Sequence, residues 1–231
     1  MRKKLYTVFL AGGSGTRLGS EIPKQFLDLS GKPVLQQTII RFLYACPDMT
    51  SVVVLPEDHI PTWKKICSET HFDLPQIIVA GGLTRFHSVR NALEKIPDGV
   101  MVMVHDAVRP LLSVDLIHRL LDAAGEDGSA VPVIPVTDTL KSLERHQDGS
   151  YGKADAPAPD RSKVFCAQTP QLFPSEVLKK AYSAGYDLSF TDDASVVEAA
   201  QFPVTYVDGE PHNLKITTRE DLELARLLFE N

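Results

Sequence analysis

Apolar positions follow two rhythms along this chain. Residues 5–11, 52–55, 77–80 and 100–104 are short continuous apolar runs, as strands of a parallel sheet covered on both faces are. Between these runs the spacing turns helical. Val34, Leu35, Thr38, Ile39, Phe42, Leu43 and Cys46 share one face; so do Phe86, Val89, Leu93 and Ile96; so do Leu116, Ile117, Leu120, Leu121 and Ala124. Ser30-Gly31-Lys32-Pro33 reads as a turn with proline near a helix start, and Pro47 ends that helix. Thr84 and Ser113 stand where helix caps belong. Residues 56–69 read as a helix in which Trp63 packs. The alternation predicts an α/β fold: three layers around a mostly parallel central sheet, with the ligand side at the carboxyl ends of its strands.

The rhythm changes near Ala130. Residues 131–135 are strand-like, but Pro132 and Pro135 predict an edge or a bulge. Residues 137–165 begin and end extended and are polar between, which predicts a β-arm of two strands projecting from a single domain spanning 1–231. The competing reading of that stretch is a disordered surface loop. Residues 165–169 read as extended, 174–184 and 192–200 as helices, 204–207 as a strand and 214–217 as a short extended piece. Thr217 and Thr218, with Glu220 and Asp221, offer overlapping capping boxes for a last helix.

Composition narrows the class. The 231 residues are 43% apolar, enough for a sizeable core, and carry a formal net charge of −6. That charge argues against general nucleic-acid binding. Cys46, Cys67 and Cys166 are scattered and odd in number, so neither a disulfide framework nor a zinc spacing is present, and a reducing compartment is expected. Arg2-Lys3-Lys4 before the first apolar run imitates an export signal, but that run leads straight into a glycine loop. No apolar run approaches the ~20 residues a bilayer requires. The expectation is a cytoplasmic protein with no membrane partner.

The chemistry starts where the first run breaks into Gly12-Gly13-Ser14-Gly15. Without side chains in the way, backbone N–H groups there can wrap an anion. Arg17 and Lys24 follow, with Pro23 stiffening the backbone before the lysine. Strand, glycine loop and two cations read as a polyphosphate site. A P-loop is excluded, since no Lys-Ser/Thr pair follows the glycines. The dinucleotide fingerprint fails too: Gly13, Gly15 and Gly19 are misspaced, and Asp28 comes too early. Asp106 ends the run 100–104, between His105 and Arg109, where a carboxylate can hold Mg²⁺ and meet a nucleotide. His105 reads as structural. Gly81-Gly82, Arg85 and Ser88 stand at the next strand-to-helix junction, where backbone groups and a hydroxyl can read a pyrimidine edge.

The stretch from the glycine loop through Pro23-Lys24 resembles nucleotidyltransferases that load sugar or polyol phosphates onto nucleotides. Taken with His105-Asp106-Ala107-Val108-Arg109-Pro110, Asp160-Arg161, Thr169-Pro170-Gln171, Thr191-Asp192 and Asn213 to Thr217, the chain resembles the 2-C-methyl-D-erythritol 4-phosphate cytidylyltransferases of non-mevalonate isoprenoid synthesis. The resemblance runs almost end to end. It implies a Rossmann-like nucleotidyltransferase fold and transfer of a cytidylyl group from CTP to the polyol phosphate, with pyrophosphate leaving. It also implies roles. Arg17, Lys24 and Lys215 would be catalytic, and Asp106 would hold Mg²⁺. Ala11, Gly12, Gly13, Ser14, Gly15, Gly82, Arg85, Ser88 and Asp106 would bind the nucleotide. Asp106, Arg109, Arg161, Thr169 and Thr191 would bind substrate. The arm would pair two subunits in a homodimer, carrying Arg161 and Thr169 to the neighbour's substrate. Two positions depart from the pattern. Leu83 stands where an acid can follow the glycine pair, and His212 where a second metal carboxylate can sit, leaving Asp208, Glu210 or water as substitutes. Competing readings are a ribitol-5-phosphate cytidylyltransferase, a hexose-1-phosphate nucleotidyltransferase, and a dimeric nucleotide-binding protein without turnover. Asp192-Asp193-Ala194-Ser195 fits the methylerythritol enzymes better than the ribitol enzymes.

Overall fold

A computed structural model describes residues 3–13 and 22–229. β1 (Leu5–Leu10) enters the sheet first, and a two-stranded ribbon follows, β2 (Asp28–Leu29) with β3 (Lys32–Pro33). Then come α1 (Val34–Ala45), β4 (Thr50–Leu55), α2 (Ile60–Glu69), β5 (Gln76–Ala80), α3 (Arg85–Leu93), β6 (Met101–Asp106) and α4 (Val114–Ala124). These are the elements the apolar rhythm predicts, and they form the parallel sheet β6-β1-β4-β5. Thr84 and Ser113 cap as expected, accepting from the backbone N–H groups of His87 and Leu116. Gly125, at φ +60°, supplies the left-handed turn that ends α4.

Alternation along the strands divides the core in two. Leu5, Phe9, Met101 and Met103 pack against α1, α2 and α4 through residues such as Phe42, Trp63 and Leu116. Tyr6, Val8, Val102 and Val104 pack on the other face, against α3 and two later helices. Trp63 is fully buried, its indole N–H donating to Gln76 at 3.0 Å, so it packs as predicted.

The second half holds the differences. β7 (Ala130–Pro135) is followed by the hairpin β8 (Leu143–Arg145) and β9 (Tyr151–Lys153). β10 (Phe165–Ala167) and β11 (Gln171–Pro174) lead to α5 (Ser175–Tyr182), α6 (Asp193–Ala199), β12 (Thr205–Asp208) and α7 (Arg219–Phe229). β7 is not an edge: it pairs with β10 and β11 on one side and with β12 on the other. Of the two expectations, the bulge is the one realised. The β10–β11 strand has two extra residues opposite β7 between its pairings Ala167↔Val133 and Leu172↔Ala130. Pro132 faces that break, its carbonyl accepting from Gln168 N–H at 2.8 Å, so its missing N–H falls where the ladder is already interrupted.

β11 is the strand the apolar pattern does not announce, because four residues preceded by Pro170 and ending on Pro174 carry no periodicity. It runs antiparallel between β7 and β6. The arm is a short hairpin outside the main sheet, with Leu143 and Tyr151 exposed, rather than two strands joined by a long connection. Residues 214–217 form no strand. Of the two capping boxes, Thr218 with Asp221 forms: Asp221 N–H donates to Thr218 Oγ1, and Asp221 Oδ2 accepts from the N–H groups of Thr217 and Thr218.

Candidate active site

Three strand ends meet at one cavity of about 560 Å³, a size that suits a small ligand. β1 delivers Ala11-Gly12-Gly13, β5 delivers Gly81-Gly82, and β6 delivers Asp106, all at carboxyl ends of parallel strands. Gly13 lies close to the lysine: a Cβ there would stand 3.1 Å from Lys24 Cε. Gly82 is more constrained, since a Cβ would come within 2.4 Å of the His87 Cβ. Ser88 Oγ fixes the Gly81-Gly82 turn by accepting from Gly82 N–H at 3.0 Å and donating to Thr84 O at 3.0 Å. Its hydroxyl hydrogen is therefore committed to the turn, although the side chain lines the cavity.

Lys24 begins a tight turn set up by Pro23 and is buried. Its ammonium donates to Ile216 O at 3.2 Å. Beside it, Gln25 Nε2 donates to Ala11 O at 2.8 Å and ties the turn to the end of β1. Lys215 enters from residues 213–217, which are threaded past β6 by buried polar groups. Asn213 Nδ2 donates to Thr169 O at 2.9 Å, Arg109 Nη1 donates to Asn213 O at 2.7 Å, and Ile216 N–H donates to Val108 O at 2.9 Å.

Asp106 is the hub. Its carboxylate faces Lys215 at 2.8 Å, Arg109 at 3.6 Å and Arg85 at 3.9 Å. Burial by itself would raise its pKa; Arg85, Lys215 and Arg109 outweigh burial and hold it well below the usual carboxylate range. Arg85 is in turn held by both oxygens of buried Asp193. Burial works against its charge, and Asp193 with Asp106 more than offsets that, raising its pKa. Counting Lys24, the cluster sets four cations against two carboxylates, a surplus that suits a polyphosphate.

A model of the 2-C-methyl-D-erythritol 4-phosphate cytidylyltransferase family matches residues 5–231. The chain belongs to that family. A relative of the same name from Porphyromonas gingivalis is 45% identical over 99% of each chain. One from Bacteroides thetaiotaomicron is 39% identical, over 98% of this chain and all of the relative. The crystal structure of the Thermus thermophilus cytidylyltransferase superposes with a TM-score of 0.76 at 32% identity, covering both chains completely.

Within this cytidylyltransferase fold, Ala11, Gly12, Gly13, Lys24, Gly82, Arg85, Ser88, Asp106 and Lys215 all line the cavity. Ser14, Gly15 and Arg17 lie outside the described residues. Arg109 is largely buried behind Asp106, where it bonds Asn213 and does not line the cavity. Thr169 is buried, and its hydroxyl accepts from Asp106 N–H at 3.0 Å and meets His105 Nδ1 at 3.1 Å in the same chain. Within its own chain it positions Asp106. Arg161 donates to Thr137 O at the base of the arm, and Thr191 is exposed ahead of α6; neither lines the cavity. The Glu210 carboxylate accepts from Ser113 N–H and Oγ at the start of α4 and pairs with Arg119 farther along that helix, so it is already engaged there and does not line the cavity. Sequence reasoning assigned no role to Gln25 or Asp193. Asp193 lies inside the string Asp192-Asp193-Ala194-Ser195, but nothing in that string signals that the side chain points at Arg85.

Among the described residues, no three His, Cys, Asp or Glu side chains gather as a metal site. A single carboxylate at the cavity fits Mg²⁺ in its common mode, with one or two protein carboxylates and the rest of the shell from phosphates and water.

His105 makes the stability of the fold pH-dependent. Its Nε2 lies 3.1 Å from Arg109 O, which can only accept, so Nε2 carries the hydrogen and Nδ1 accepts from Thr169. Burial lowers its pKa from 6.5 to about 3. Unfolded chains then bind a proton below 6.5 that the folded chain refuses, so stability falls as the pH drops through this window, by up to about 1.4 kcal/mol per unit. Urea unfolding at about pH 7.5 and pH 5.5 measures this loss, and His105→Gln should show less of it. Equal losses in both proteins would remove His105 as the source.

Proposed function

We propose that this chain transfers the cytidylyl group of CTP to 2-C-methyl-D-erythritol 4-phosphate, releasing pyrophosphate and forming 4-diphosphocytidyl-2-C-methyl-D-erythritol. The observation that carries this reading is the convergence of Gly12-Gly13, Lys24, Arg85, Asp106 and Lys215 on one cavity, within a chain of this family. A phosphate oxygen of the acceptor bonds to the α-phosphorus, and the bond from that phosphorus to the pyrophosphate oxygen breaks. Negative charge gathers on the phosphoryl oxygens in the transition state, where Lys24, fixed in place before reaction, stabilises it. Arg17 is assigned the same task from its place in the sequence. The glycine turns leave room for nucleotide and triphosphate, and Lys215 and Arg85 supply further positive charge. Mg²⁺ would be held by Asp106 with the phosphates, and when bound it neutralises phosphate charge.

The enzyme acts as a homodimer in the cytoplasm in this reading. Leu143, Tyr151 and Phe165 are exposed on the arm and its return strand, and a lone two-stranded ribbon is marginal in water. Packing of arm on arm would cover them. Sedimentation of the purified chain checks this, since a monomer at micromolar concentration would remove the claim. No helix among the described residues is long and apolar enough to cross a membrane.

The deciding assay is pyrophosphate release. CTP with methylerythritol 4-phosphate and Mg²⁺ should give the highest kcat/KM, with ATP, GTP and UTP poor donors and activity lost to a chelator. A larger kcat/KM with ribitol 5-phosphate would reassign the acceptor.

A further inference from the structure

Arg85 is the first residue of α3, and a cation at a helix N-terminus is disfavoured by the backbone dipole. Its partner lies 108 positions away. Arg85 Nη1 and Nη2 donate to the two oxygens of Asp193 at 2.9 and 2.6 Å, a bidentate pairing that fixes the plane of the guanidinium. Asp193 is fully buried, and Tyr182 Oη donates to its Oδ1 at 2.6 Å. The ring of Tyr182 stacks on Phe86, the next residue along α3. α6 is anchored separately: Gln171 on β11 donates to Asp192 Oδ2 at 2.8 Å and accepts from Ala194 N–H at 2.9 Å. Asp193 therefore stands on a clamped helix end, and the guanidinium it holds turns its Nε toward Asp106 Oδ1, 3.9 Å away.

A buried ion pair of this kind is weak evidence for stability, since apolar side chains of similar volume often serve as well. Here one member reaches the cavity and the other does not. We propose that Asp193 is a positioning residue for cytidylyl transfer: it acts through Arg85, and Tyr182 orients its carboxylate. The effect falls on nucleotide binding, because Arg85 is held ready before the substrate arrives. The proposal rests on the reaction assigned above.

The test is Asp193→Asn, which keeps the volume but removes the charge and one acceptor. The KM for CTP should rise about tenfold or more, the worth of hydrogen bonds to a charged group, with kcat little changed. In an Arg85→Ala background the same substitution should add nothing further. Tyr182→Phe should raise KM about threefold and likewise lose its effect without Arg85. A folded Asp193→Asn with wild-type KM, or effects that multiply in the double variant, would overturn the proposal. If Asp193→Asn does not fold, Tyr182→Phe decides alone, and an unchanged KM overturns it. The Arg85 Nε–H resonance, identified by its loss in Arg85→Lys, should shift in Tyr182→Phe. That signal reads the positioning without turnover, so it separates failure of the proposal from failure of the assigned reaction.

Discussion

Lys24→Ala should lower kcat by roughly 10²–10³, or about 3–4 kcal/mol of transition-state stabilisation, with a much smaller change in the KM for CTP. The expectation follows from how the lysine is held. Its stem lies against Gly13, its ammonium is tethered to Ile216 O, and the turn carrying it is pinned to Ala11 through Gln25. A cation fixed in this way need not reorganise when charge develops on the phosphoryl oxygens, which is where preorganised groups contribute most. Steady-state kinetics over a CTP series separates the outcomes. A raised KM at unchanged kcat would make Lys24 a ground-state phosphate binder.

Asp106→Asn is the second large effect, and it should reach stability as well as activity. The substitution removes the negative charge that Lys215, Arg109 and Arg85 share. Lys215 is half-exposed and can turn to water, and Arg85 keeps Asp193. Arg109 has less recourse: it is largely buried, it keeps only the neutral Asn213 carbonyl as a partner, and its Nε makes no hydrogen bond among the described residues. An uncompensated buried cation costs about 3 kcal/mol, which for a chain of this size lowers Tm by about 6–12 °C. Activity should fall, and the Mg²⁺ concentration for half-maximal rate should rise. A melting temperature within about 2 °C of wild type together with an unchanged metal titration would reduce Asp106 to a turn residue.

These effects differ in how far the sequence announces them. Lys24 and Asp106 were legible because each follows a readable boundary: a glycine loop with proline before Lys24, and an apolar strand ending at Asp106. Arg161 and Thr191 were named by the same motif resemblance, and both stand away from the cavity in the single chain. Thr169 was named by the same resemblance for its part at the substrate, and the structure adds that its hydroxyl bonds Asp106 and His105 of its own chain. A motif marks which residues belong to the site, but not the direction in which each side chain points.

The sequence by itself determined the parallel sheet β6-β1-β4-β5 with its helices, the caps at Thr84 and Ser113, the glycine turns and the family. All of these rest on periodicity, turn chemistry and short motifs, which act over a few residues. The tertiary structure alone decided that β11 inserts between β7 and β6, that residues 213–217 thread past β6 to bring Lys215 onto Asp106, and that Asp193 holds Arg85. Each joins residues far apart in the chain. Such pairings leave no local period to read, because they are set by strand register and by the requirement that buried polar groups find partners once the layers have packed.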